Sequence, residues 1–169
     1  MTKKIAYSAM LIALAMIFSY VELLIPFSFG VPGIKLGLAN LVVVVGLWLL
    51  PKTQVLGILV ARIILVAFMF GNMSSLIYSM AGGLISFCVM LLLKKCKGFS
   101  QIGISMAGGV SHNVGQLIVA AIVVENLHVF YYAPALLIAG LVTGMLIGIV
   151  GHKVCTYLRK IDIMGINNR

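Results

Sequence analysis

The sequence predicts an all-α, polytopic membrane protein with six transmembrane helices, forming a single domain over residues 1–169. Of its residues 63% are hydrophobic and 9% charged, against about 25% charged in a soluble domain, so a water-facing surface cannot be built. Apolar runs of about 20 residues recur along the whole length, each long enough to cross a hydrocarbon core as a helix. Lys and Arg collect in alternate connections, the distribution that membrane topology produces.

The first span runs from Ile5 to Leu24 and stops before Pro26, whose ring cannot continue a helix. Lys3 and Lys4 followed by an apolar run resemble a signal sequence, but Ala13 and Ala15 lie inside the run and not beyond it. An uncleaved first helix is expected. The segment from Pro26 to Gly33, with its prolines and glycines, is an outer loop. The second span, Leu36 to Leu50, is only about 22 Å long at 1.5 Å per residue, which leaves its outer end recessed unless the bilayer thins or the loop fills the gap. The third covers Gln54 to Phe70 and the fourth Met73 to Leu93, joined by the uncharged turn Gly71-Asn72. The fifth covers Gln101 to Val124 and the sixth Ala133 to Tyr157.

Loop charge orients the chain. Lys3, Lys4, Lys52, Lys94, Lys95, Lys97, Lys153, Arg159, Lys160 and Arg169 fall on one side and Lys35 alone on the other, so both termini are expected in the cytoplasm of a bacterial inner membrane. The net charge of +9 is thereby explained by topology, and nucleic acid is not implied as a partner. Cys88, Cys96 and Cys155 are odd in number and lack metal-ligand spacing, so they read as free thiols. The repeated Ser-Met-Ala-Gly-Gly at 79–83 and 105–109, and Gly140, Gly144 and Gly148, read as close-packing surfaces between helices.

Arg62 is the residue that needs an explanation. It sits mid-span, roughly 15 Å beyond Lys52, where a charge is costly and turns inward to a partner. Helix-rise arithmetic puts Glu22 and Glu125 roughly 10 Å further out, leaving Arg62 with no carboxylate at its own depth. It therefore reaches toward Glu22, is satisfied by neutral groups, or meets an anionic ligand. In the fifth span His112 and Asn113 lie about 16 to 18 Å into the membrane, with Gln116 on the face of His112 and Ser111 beside them. This polar layer must face inward, as interhelical staples or as a binding site. Glu22, Lys35, Asn40 and Asn72 are candidates for the mouth of the same cavity.

No phosphate-binding Gly-Lys-Ser/Thr loop is present, and the single aspartate, Asp162, excludes an aspartate-rich magnesium cradle for a diphosphate. The three histidines are far apart and carry no zinc or haem pattern. Autonomous catalysis is not expected, and no cofactor is legible.

The runs Gly33-Ile34-Lys35-Leu36-Gly37-Leu38-Ala39-Asn40, Arg62 with Gly71-Asn72, Tyr78-Ser79-Met80-Ala81-Gly82-Gly83, and Gly108-Gly109-Val110-Ser111-His112-Asn113-Val114-Gly115-Gln116 together resemble the Gx transporter family, whose members carry the label heptaprenyl diphosphate synthase component I. That family is similar to the substrate-binding S components of energy-coupling-factor transporters. The resemblance implies an S-component-like bundle in which Ala9 and Ala13 dock on a transmembrane coupling subunit powered by ATPases. It also implies that the loop after the first helix closes over a ligand bound from the outer side near Arg62, Asn40, His112, Asn113 and Gln116. A flavin, a quinone precursor or an isoprenoid is the ligand class it suggests. The alternative it carries is a non-catalytic membrane subunit or scaffold for prenyl diphosphate or quinone synthesis, or for flavin- or quinone-linked electron transfer.

Overall fold

Punctuation by proline, glycine and capping side chains divides the chain into helices. The computed structural model describes residues 2–24, 37–96 and 98–161. Among them are six α-helices and one 3₁₀ helix, and no strand: α1 Thr2–Leu24, α2 Asn40–Leu49, α3 Lys52–Phe70, α4 Met73–Lys95, α5 Gln101–Val124, the 3₁₀ helix Leu127–Tyr132 and α6 Ala133–Ile161. Asn72 starts α4 by accepting a hydrogen bond from the Ser75 N–H at 2.7 Å, and Ser100 starts α5 by accepting from the Gly103 N–H at 3.1 Å; each satisfies a donor that the first helical turn leaves open. Glu125, with φ 51°, ends α5 in the left-handed conformation.

Four helical stretches are long and apolar enough to cross a membrane: Lys52–Phe70, Met73–Lys95, Gln101–Val124 and Leu127–Lys160. The apolar parts of α1 and α2, Ala6–Glu22 and Asn40–Leu49, are shorter. One expectation is corrected and one connection is filled in. The second helix begins at Asn40, not Leu36, because Gly37 takes a φ of +87°, which favours glycine; the chain then turns into α2 with the Asn40 N–H donating to Gly37 O at 2.8 Å. The connection before the sixth helix contains the 3₁₀ helix, whose aromatic residues had no helical period to reveal it. The loop from Pro26 to Gly33 and Lys35 lie outside the described residues.

Ten residues at 1.5 Å each make α2 about 15 Å long, and Val42, Val43, Val44, Val45 and Leu47 are all buried. A helix that is apolar all round belongs in the centre of a bundle. Val43, Val44 and Leu47 pack with Leu59 and Ile63 of α3, Phe87 and Met90 of α4, Ile104 of α5 and Ile147 of α6. On the other side α1 contributes Leu11 and Ala15 against Val42 and Ile58, and Gln54 Nε2 donates to Ser8 Oγ at 2.6 Å. Ala9 and Ala13 face outward from α1.

The tightest packing is in α4, α5 and α6, where small residues bring backbones together. A Cβ on Gly82 would lie 2.7 Å from His112 O, and one on Gly144 or Gly148 would lie 2.7 Å from Met106 Cα or 2.9 Å from Ile102 Cα. A Cβ on Gly109 would overlap Gly140 O. The small-residue repeats are thus packing surfaces, as their spacing implies. These pairings run α4, α5 and α6 antiparallel and gather Lys94, Lys95, His152, Lys153 and Arg159 at one end of the bundle. There Lys94 Nζ donates to Leu47 O, covering a carbonyl that the short α2 leaves open, and sits 5.3 Å from the centre of the Trp48 ring. Cys88, Cys96 and Cys155 are free thiols, the last buried.

Candidate functional site

Arg62 projects from the buried face of α3 that also carries Ile58, Ile63 and Val66. It is 7% exposed, and its Nη2 donates to Asn40 Oδ1 at 3.2 Å. Asn40 is available there because α2 starts late: the Gly37 turn delivers the first residue of the helix to mid-bundle. The same turn lowers the Gly37 N–H onto Glu22 Oε1 of α1, to which it donates.

Arg62, Gly37 and Glu22 wall a small, largely enclosed cavity of about 20 Å³ whose lining also includes Ser19 of α1, Ser75 and Ser79 of α4, and His112 of α5. Its volume suits about one water molecule. The expectation that Arg62 has no carboxylate at its depth is corrected: Glu22 lines the same cavity and acts electrostatically on Arg62. Helix-rise arithmetic treats each span as standing upright from the interface and ignores side-chain reach, so it set Glu22 apart from a guanidinium whose cavity it lines.

The polar layer of α5 divides. His112 lines the cavity, and its ring packs against Gly82, where a Cβ would sit 3.1 Å from Cε1. Asn113 turns away by one residue, about 100°, and its Nδ2 donates to Leu136 O of α6 at 2.8 Å. Gln116 is fully buried beside Gly82. Ser111 bonds back to Ala107 O of its own helix at 2.7 Å. Asn72 caps α4 and does not line the cavity. Among the described residues, Arg62 Nε, His112 Nδ1, Asn113 Oδ1, Ser105 Oγ and both amide atoms of Gln116 are buried without a hydrogen-bonding partner. Such atoms cost about 1–3 kcal/mol each where they stay unsatisfied.

Ser19 and Ser75, not singled out in the sequence, and Ser79, noted there only within the 79–83 repeat and the family-like run, join the site. Their signal is helical spacing: Ser19 lies three residues before Glu22, and Ser75 and Ser79 are four apart, so each pair shares a face. Because Asn113 holds α6 and does not face the cavity, Asn113→Ala is expected to lower stability by about 1–2 kcal/mol while leaving ligand retention unchanged. Thermal unfolding of the detergent-purified protein and mass spectrometry of retained molecules check the two halves separately.

A second cavity, of about 10 Å³, has Asn40, Ser86, Ser105, Gly108 and Thr143 in its walls. Ser86 Oγ donates across to Gly108 O at 2.8 Å. Asn40 therefore lines the second cavity while accepting from Arg62, which lines the first.

No curated protein and no solved structure matches the chain. The family described as Heptaprenyl diphosphate synthase component I matches residues 11–154, a stretch that contains every residue of both cavities. With that match and its bundle of apolar helices, the chain is a membrane protein that belongs to the heptaprenyl diphosphate synthase component I family.

Proposed function

We propose that the protein is the membrane-embedded substrate-binding subunit of a small-molecule transporter, similar in role to the S components of energy-coupling-factor systems, and that it captures an anionic or amphipathic ligand from the outer side. The supporting observation is Arg62: a buried guanidinium with Nε unpartnered, facing a cavity that also presents His112 and three serines. A guanidinium is always charged and its fork suits carboxylate and phosphate. Arg62 and His112 hold the anionic group, Asn40 fixes the guanidinium plane, and Glu22 accepts a donor of the ligand or balances Arg62 when the site is closed. Gln116 supports the site from behind His112.

A cavity of about 20 Å³ is far below the roughly 300 Å³ of a ligand pocket. Binding therefore entails parting α1 and α3 from the rigid α4–α6 packing unit. On this reading the bundle lies in the inner membrane with both termini in the cytoplasm, an orientation that the collection of Lys52, Lys94 and Lys153 on one side supports. Ala9 and Ala13, exposed on α1, are the face for a coupling subunit and its ATPases. The chain is not an enzyme on this reading.

The family description favours a second reading, in which the chain is a non-catalytic membrane component of a prenyl diphosphate synthase. Both are tested on one preparation. Protein purified in mild detergent from its native membrane is expected to retain an anionic or amphipathic small molecule, identified by mass spectrometry, that Arg62→Ala loses at least tenfold while eluting as the same folded species. Equal retention by Arg62→Ala removes the transporter reading, and a synthase subunit as the only co-purifying partner favours the second.

A further inference from the structure

The polar cavity has an apolar neighbour. A groove of about 220 Å³, open to the surface of the bundle, lies between α3 and α4 and is lined by Ala67, Phe68, Asn72, Met73 and Leu76. Ala67 lines both this groove and the Arg62 cavity. A single small side chain is therefore part of the wall that divides a buried cation from a lipid-facing slot.

Side-chain size explains why the slot exists. Further along the seam α3 and α4 are in close contact at Gly83, where a Cβ would lie 3.0 Å from Ile63 Cδ1 and 3.2 Å from Leu59 Cδ1. At the other end the two helices are tied by the Gly71-Asn72 turn, with the Gly71 N–H donating to Ala67 O at 3.1 Å and Asn72 capping α4. Between these closures α3 presents Ala67, a side chain too small to fill the seam. Phe68 and Met73, 79% and 68% exposed, flank it on the lipid side, while Ser75 and Ser79 face the cavity. Polar groups and apolar groove thus meet across one helix seam, polar inside and apolar outside.

Building on the reading of the cavity as a substrate site, we propose that its substrate is a single-chain amphiphile with an anionic head, which sits with its head at Arg62 and His112 and its chain laid over Ala67 into the α3–α4 groove. Such a molecule reaches the site sideways from the bilayer, and its chain never crosses water. The groove and the cavity share Ala67 in their walls, which is the junction that one head bearing one chain needs. Because lipid tails are as apolar as the groove, the chain adds direction and the head supplies the selectivity.

The test uses a dodecyl phosphate carrying a photoreactive diazirine in its chain, with the corresponding dodecanol as the neutral probe, on the full chain in phosphatidylcholine nanodiscs. Labelling by the phosphate probe is expected at Phe68, Met73 or Leu76, and at least tenfold weaker in Arg62→Ala and in Ala67→Phe. Met73→Trp fills the groove from its exposed rim and is expected to act as Ala67→Phe does, so misfolding of the latter does not decide the matter. Labelling that depends on Arg62 but maps elsewhere overturns the chain path and leaves the anion site standing. Labelling of the groove that Arg62→Ala does not reduce marks it as an ordinary lipid-facing surface and overturns the assignment. Labelling by the phosphate probe no stronger than by the alcohol overturns both the assignment and the anion site beneath it.

Discussion

Gly109→Ala is expected to destabilise the fold by about 3 kcal/mol or more, the largest effect of any single methyl group added to the described residues. The new Cβ falls on Gly140 O, and Gly144 Cα and Gly140 C stand 3.2 and 3.3 Å away, so the obstacle is backbone and no rotamer change relieves it. α5 and α6 would have to separate along a seam that Gly144 and Gly148 continue toward Met106 and Ile102. Gly57 is the matched control: it lies in α3, is exposed, and a Cβ there meets nothing within 4 Å. Gly57→Ala should be neutral or stabilise by up to about 1 kcal/mol through helix propensity. Thermal unfolding of both variants in one detergent checks the pair. Equal melting temperatures would show that the small residues of α5 and α6 do not set the interhelical distance.

The same seam shows what the sequence makes legible. Spacing alone identified 79–83, 105–109 and Gly140, Gly144 and Gly148 as close-packing surfaces, because glycines at helical intervals have one strong use in a membrane helix. The bounds expected for α5, Gln101 to Val124, are those observed, with Ser100 as the cap and Glu125 as the left-handed stop. The start of α2 was not: the left-handed Gly37 is a local conformation that an apolar run does not announce, and its consequence is large, since it places Asn40 beside Arg62 and the Gly37 N–H on Glu22. Depth along a helix was readable only coarsely from 1.5 Å per residue: it brought Arg62 and His112 to one level, as their shared cavity bears out, but set Glu22 apart from the cavity that it also lines. Direction around the helix was not, because it depends on which neighbour each face meets. Asn113 therefore went to α6 and His112 to the cavity, though they are adjacent in sequence.

Removing the charge at Arg62 tests whether the buried polar groups serve stability or binding. Arg62→Met keeps the length of the side chain but leaves the Glu22 carboxylate in the cavity without the opposing charge that acts on it, and is expected to cost about 2 kcal/mol at an effective dielectric near 20. Glu22→Gln retains an oxygen for the Gly37 N–H while removing the negative charge. The double variant Arg62→Met with Glu22→Gln should therefore recover most of that loss, because replacing both members of a buried charge pair avoids stranding either one. Its ligand retention should remain at the level of Arg62→Ala. A protein restored in stability and empty of ligand is the outcome expected of charges kept for binding. If the single variant melts with the unmodified protein, the two charges are not coupled across the cavity. If the double variant still retains the ligand, Arg62 does not hold its anionic group, and these polar side chains are fastenings between helices.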